Sequence, residues 1–190
     1  RVLDFGCGTG QIAAGFLQHP KIQSYTGVDE STESIGVAKK NLENFSSGVE
    51  LTFLNRLSDL PGGERYDLIT AYNVFHHVEP PERQGVCKKF SEILEPGGVL
   101  AVWEHNPFNP LMHAFVAWCD LDEGVTLVRP GKLKRMLASC GVPNIRQAFV
   151  NFTPPKWHKK NLFRKMEVGF AQLPLGAQYY SLFGDVSSQL

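Results

Sequence analysis

The chain has 190 residues, 43% of them hydrophobic, which suits one globular domain with a substantial core. Lysine plus arginine and aspartate plus glutamate balance at 19 each, so the basic excess usual in a nucleic-acid-binding protein is absent and no such partner is expected. No run of about 18 apolar residues occurs, so no membrane span is expected, and the four scattered cysteines form no C-x-x-C pair, which points to free thiols in a reducing cytoplasm.

Val2–Phe5 reads as an apolar strand that carries one acid, Asp4. Glycine follows at every second position, Gly6, Gly8 and Gly10, with Cys7 between the first two. A helix is expected from Gly10 to Leu17. This is a strand, a loop open to close approach, and a helix N-terminus, the arrangement that brings a nucleoside cofactor against bare backbone. A second strand, Ser24–Val28, ends on Asp29, about 20 residues beyond the loop, the spacing of an acid that holds ribose hydroxyls. Ser31 is placed to cap a helix running to about Asn44, with Ile35, Ala38 and Leu42 on one face. Val49–Leu54 reads as strand three and Tyr66–Ala71 as strand four. Pro80 and Pro81 suit the first turn of a helix ending near Leu94. Pro96-Gly97-Gly98 turns into strand five, Val99–Trp103.

Beyond Glu104 the alternation loosens. Residues 106–128 read as a cap-like insertion with a short helix, Leu111–Cys119, and with Phe108, Met112, Phe115, Trp118, Asp120 and Asp122. Its aromatics either select an acceptor or pack the helix down. A helix over Gly131–Cys140 stops at Gly141, strand six covers Asn144–Phe152, a helix lies near Lys159–Ala171, and strand seven covers Ala177–Phe183. The basic stretch Lys156–Lys165 is either a solvated helix face or a docking patch for something anionic. Residues 1–190 read as a single domain, and a buried strand opening at Val2 leads us to expect a further segment upstream.

Asp4-x-Gly6-x-Gly8-x-Gly10 with Asp29 resembles motif I of the class I S-adenosylmethionine-dependent methyltransferases, and the resemblance extends over most of the chain. A dinucleotide fingerprint would place its third glycine where this chain has Gln11. The resemblance implies an α/β fold: a Rossmann-like seven-stranded, mostly parallel sheet in the order 3-2-1-4-5-7-6, with strand seven antiparallel and helices on both faces. It implies S-adenosyl-L-methionine as cofactor and a small-molecule or glycan-like acceptor. The glycine loop would pass under the methionine part and ribose, with Asp4 bracing the loop or the amino group. Asp29 would accept the ribose hydroxyls and Glu30 border the adenine. Where the family often has an acid for the adenine this chain has Arg56, so Asp59 or a backbone carbonyl near Leu57 would substitute. Asn73 would touch the methionine end.

The candidates for general base are His76, Glu104 and His105, since imidazole titrates near neutral pH. His77 ranks behind His76. The alternative reading is that His76 packs structurally at a helix start, Glu104 bonds loop backbone and His105 starts the insertion. No metal is expected, because His76-His77 is the only close pair among six histidines. An NAD(P)-dependent oxidoreductase-type domain and a non-catalytic methyltransferase-like binding domain are the alternatives.

Overall fold

A computed structural model describes residues 1–43, 48–119, 124–153 and 161–185. Its strands are β1 (Val2–Phe5), β2 (Ser24–Val28), β3 (Glu50–Leu54), β4 (Tyr66–Tyr72), β5 (Leu94–His105), β6 (Asn144–Val150) and β7 (Gln178–Phe183). Its α-helices are α1 (Ala13–Leu17), α2 (Thr32–Leu42), α3 (Arg83–Ile93), α4 (Pro110–Trp118), α5 (Pro130–Ser139) and α6 (Asn161–Phe170). The sheet order is β3-β2-β1-β4-β5-β7-β6. β1 to β5 pair in parallel, and β7 runs antiparallel between β5 and β6.

The sheet is buried between two apolar layers. Leu3, Ile69, Ala71, Leu100 and Val102 project to one face, where Phe90 and Leu133 from α3 and α5 meet them. Val2 and Tyr25 meet Ala13, Leu17 and Leu42 from α1 and α2 on the other. The two sets alternate along each strand, as the pleat requires. Local signals set the helix ends. Ser31 Oγ accepts from Ser34 N at 3.1 Å, capping α2. Asn109 Oδ1 accepts from Leu111 N at 2.9 Å, capping α4. Gly141, at φ +81°, ends α5.

The largest departures from the sequence expectation are at the starts of three elements. The first helix starts at Ala13 rather than Gly10, because Gly10 sits at φ +78°, outside helical space. α3 starts at Arg83, since Pro80 and Pro81 belong to a separate turn closed by Glu82 N–H on Glu79 O. β5 begins at Leu94, not Val99. Tyr66 pairs with Leu94, and the register then shifts before Leu68 meets Val99, so the Pro-Gly-Gly segment lies within the strand instead of preceding it. The part of the basic stretch before residue 161, and Asp120 and Asp122, lie outside the described residues.

Candidate active site at the carboxyl edge of the sheet

The parallel registers fix the site. Phe5 is level with Val28 and Ala71, Val28 with Leu54, and Tyr72 with Trp103. Gly6, Asp29, Asn55 and Asn73 therefore leave the sheet along one edge, level with Glu104 near the end of β5, at the switch point between β1 and β4 where α/β sheets bind ligands.

Gly6, Gly8 and Gly10 take φ of +75°, +51° and +78°. Gly6 N–H and Cys7 N–H both donate to Val28 O, at 2.8 and 3.1 Å, and Gly10 N–H donates to Cys7 O at 3.0 Å. Gly8 N–H donates to Asp29 Oδ2 at 2.8 Å. Space separates these glycines. A Cβ on Gly6 would lie 2.6 Å from Val74 Cβ and closer still to its Cγ2, whereas one on Gly8 would meet nothing within 4 Å. Gly6 is needed for packing, and Gly8 leaves bare backbone beneath open space. We expect Gly6→Ala to lower both melting temperature and affinity for S-adenosylhomocysteine. Gly8→Ala should cost about 1–2 kcal/mol of backbone strain and weaken the ligand disproportionately. Thermal melts and calorimetric titration of the two variants check this; equal effects on both readouts would contradict it.

The side chains of Asp4 and Cys7 point away from that space. Asp4 is buried and accepts from Tyr25 Oη at 3.0 Å and Thr70 Oγ1 at 2.7 Å, so its carboxylate ties β1 to its two neighbours. Burial raises its pKa above the ordinary 3.8, against the two hydroxyls. The stability this group contributes is present below pH 3.8 and is lost as pH rises through the raised value. Asp4→Asn should therefore gain on the wild type as pH rises above 3.8 in urea unfolding; a constant difference would count against a raised pKa. Cys7 is buried beneath Gly27, and burial pushes its thiol up to about 12, which rules out a thiolate nucleophile near neutral pH.

Asp29 is half-buried and uses one lone pair on each oxygen. Oδ2 takes Gly8 N–H, and Oδ1 takes Ser31 N–H at 2.9 Å. A carboxylate has about four acceptor positions, so two remain for hydroxyls. Glu30 is exposed beside it. Leu57 begins a single 3₁₀ turn, Leu57–Asp59, in which Asp59 Oδ2 caps Arg56 N–H at 3.1 Å. Asn55 went unnoticed in the sequence. Its Nδ2 donates to Asp29 O at 3.3 Å and Thr32 Oγ1 at 3.2 Å, fixing the acid-bearing turn.

Asn73 stands at φ +49°, a left-handed position that asparagine tolerates. Its N–H donates to Trp103 O at 2.7 Å and its Oδ1 accepts from Gln178 Nε2 at 3.2 Å. Behind it Glu104 is 0% exposed and His76 2%. Glu104 Oε1 accepts from Val74 N–H at 2.9 Å and Phe75 N–H at 2.6 Å, while Oε2 lies 2.6 Å from His76 Nδ1. The His76 ring lies 4.3 Å from the exposed His77 and 5.0 Å from the buried His105, which faces Phe115 of α4 at 6.0 Å. The three imidazoles thus cluster between the sheet edge and the cap. Among the described residues no set of three metal-binding side chains is placed to hold an ion.

Two buried side chains that carry no sequence signal latch the base of the cap. Arg83 donates to Val78 O at 2.8 Å, His76 O at 3.3 Å and Thr126 O at 2.6 Å. Burial lowers its pKa, and the nearby Glu104 charge opposes that shift. Tyr179 Oη donates to Val128 O at 2.9 Å. Along α4 only Met112 is buried, whereas Phe115 and Trp118, and Phe108 ahead of the helix, face solvent. These aromatics do not simply pack the helix down. A cleft of about 840 Å³ opens between α4 and residues 124–129, lined by His113, Val116, Thr126 and Arg129.

The residues of the loop and sheet that form this edge match a known family. A methyltransferase-domain profile covers residues 3–100, about half of the chain. The chain belongs to the class I S-adenosylmethionine-dependent methyltransferases. This methyltransferase is 29% identical over 186 residues to a ubiquinone biosynthesis O-methyltransferase from Chelativorans sp., covering 91% of the chain and 70% of that protein. It is 30% identical over 120 residues to the mitochondrial ubiquinone biosynthesis O-methyltransferase of Candida albicans, covering 62% of the chain and 34% of that protein. A structure of an S-adenosylmethionine-dependent methyltransferase from Archaeoglobus fulgidus shares its fold, with a TM-score of 0.71 at 16% identity over 97% of this chain and 86% of that one. The antiparallel β7 between β5 and β6 is the order expected of the family.

Proposed function

We propose that this methyltransferase transfers a methyl group from S-adenosylmethionine to an oxygen or amine of a small-molecule or glycan-like acceptor in the cytoplasm. The observation that carries the reading is the Asp29 carboxylate closing on Gly8 N–H beside open space, with acceptor capacity to spare. Gly6, Cys7, Gly8 and Gly10 offer backbone, Asp29 takes the ribose, Glu30 and the Leu57 turn border the adenine, and Asn73 lies at the methionine end. Asp4 acts from beneath, by holding β1 to β2 and β4. When bound, the cofactor supplies a methyl group already activated on a sulfonium. What the chain supplies is chiefly alignment, worth on the order of 7–11 kcal/mol of the barrier.

An oxygen acceptor also has to lose a proton. Glu104, buried and bound to two amides and a ring nitrogen, serves as a positioning residue that fixes His76. His76 and His105 then hold the proton, His105 being the ring that faces the cap. The O-methyltransferase names of the relatives support an oxygen acceptor. The cap cleft, with Arg129 and His113 at its wall, suits a polar or anionic acceptor group.

Calorimetric titration with S-adenosylhomocysteine, NAD and NADP tests the reading. Micromolar binding of the first alone, followed by label transfer from S-adenosylmethionine in an acceptor screen, is the expected result. Binding of a nicotinamide nucleotide instead would overturn it, and cofactor binding without transfer to any acceptor would favour a non-catalytic domain.

A further inference from the structure

The exposed large apolar side chains of this protein are concentrated on the cap and its neighbours. Leu111, Phe115 and Trp118 follow one another at i, i+4 and i+7 along α4, so they form a single stripe, and Leu111 and Trp118 are 76% and 86% exposed. The turn carrying the exposed Leu173 and Leu175 is stitched beside the start of α4. Asn109 Nδ2 donates to Leu175 O at 2.8 Å, and Asn106 Nδ2 donates to Pro174 O at 3.1 Å and Gly176 O at 2.7 Å. α6, which leads into that turn, exposes Val168. An apolar surface gathered in this way marks a site of association.

Charge identifies the occupant. The chain is neutral overall, yet residues 105–171 contain ten Lys/Arg and only four Asp/Glu. Arg129, Lys132 and Lys165 are exposed in this half, and Arg129 shares the cleft of Val116 and Ala117 on α4. A second copy docking by the same patch would press basic groups against basic groups. A nucleic acid could stack on Phe115 and Trp118 but would leave the exposed Leu111, Leu173 and Leu175 unused. An anionic bilayer satisfies both features, taking the apolar stripe at the headgroup–acyl boundary and pairing its phosphates with Arg129 at the cleft and with the exposed lysines of this half.

We propose that α4 and the 173–175 turn seat this methyltransferase on an anionic lipid surface. No helix among the described residues is long and apolar enough to cross a membrane, so the contact is interfacial. Phe115 faces both the stripe and His105, so the seated cap lies against the candidate site. The acceptor is then a lipid-soluble molecule with a methylatable headgroup, a conclusion that rests on the methyl-transfer reading.

The test is co-sedimentation with vesicles of phosphatidylcholine alone and of phosphatidylcholine mixed with phosphatidylglycerol. The protein should pellet with the mixed vesicles only, and less so as salt is raised. Leu111→Ser/Trp118→Ser and Lys132→Glu/Lys165→Glu should each weaken binding by about tenfold or more, with affinity for S-adenosylhomocysteine unchanged. The proposal fails if the wild type stays in the supernatant with both vesicles, or if both variants pellet like it. It also fails if the apolar patch instead drives a dimer in sedimentation velocity that Leu111→Ser/Trp118→Ser dissolves. A wild type that pellets but does not bind S-adenosylhomocysteine would sink the methyl-transfer reading and leave the bilayer contact standing.

Discussion

Asp29→Ala is expected to weaken S-adenosylhomocysteine binding by about two to four orders of magnitude. Hydrogen bonds to a charged partner are worth about 1.5–3 kcal/mol each, and the two ribose hydroxyls would lose one apiece, which converts to that range. The substitution also releases Gly8 N–H and Ser31 N–H, so the loop and the start of α2 lose their common clamp. That loss is half-exposed and should cost only about 1–2 kcal/mol of stability. Asp29→Asn keeps one acceptor oxygen and should fall between alanine and wild type. Calorimetry together with thermal melting separates the two effects. An alanine variant that binds within threefold of the wild type would remove Asp29 from the cofactor site.

Glu104→Ala should be the most destabilising of these single changes. It strips the partner from two backbone amides and from His76 in a region without solvent. It also removes the negative charge that offsets the buried Arg83 guanidinium. Breaking one member of such a buried charged network costs about 3–5 kcal/mol, and the melting temperature of a domain this size should fall by about 6–20 °C. His76→Ala leaves the amide bonds to Glu104 in place and should spare cofactor affinity, so that its effect appears in turnover. A Glu104→Ala melt within about 2 °C of wild type would mean that the loop after β4 does not depend on this carboxylate. Loss of cofactor binding in His76→Ala would move that residue from the proton-handling side to the cofactor side.

The elements that local chemistry controls were legible in the chain. Glycine at 6, 8 and 10 can serve positive φ because it lacks Cβ, and all three positions use it. Ser31 announces the start of α2 and Gly141 the end of α5 by the same hydrogen-bonding logic in sequence and structure. Asp29 is readable because an acid directly after a buried strand has few structural roles. The boundaries that failed depend on partners distant in sequence. β5 extends back to Leu94 because Tyr66 lies opposite to pair with it, and no local signal encodes that partner.

The site divides in the same way. From the sequence came the loop, a candidate ribose acid, and a list of histidines and a glutamate in which only His77 could be ranked, behind His76. Tertiary structure separated them by their partners. Glu104 is engaged by Val74, Phe75 and His76, and the buried Asp4 by Tyr25 and Thr70. Arg83, Tyr179, Asn55 and Gln178 were invisible for the same reason. Their partners include groups 23 to 105 residues away, and only the folded chain brings them within hydrogen-bonding distance. The sequence by itself determined the strands, the glycine loop and, through the resemblance its motif carries, the family and the sheet order, because glycine conformation and strand periodicity are local properties. Which carboxylates brace, which imidazoles face the cap, and where the apolar stripe lies open were decided by packing alone.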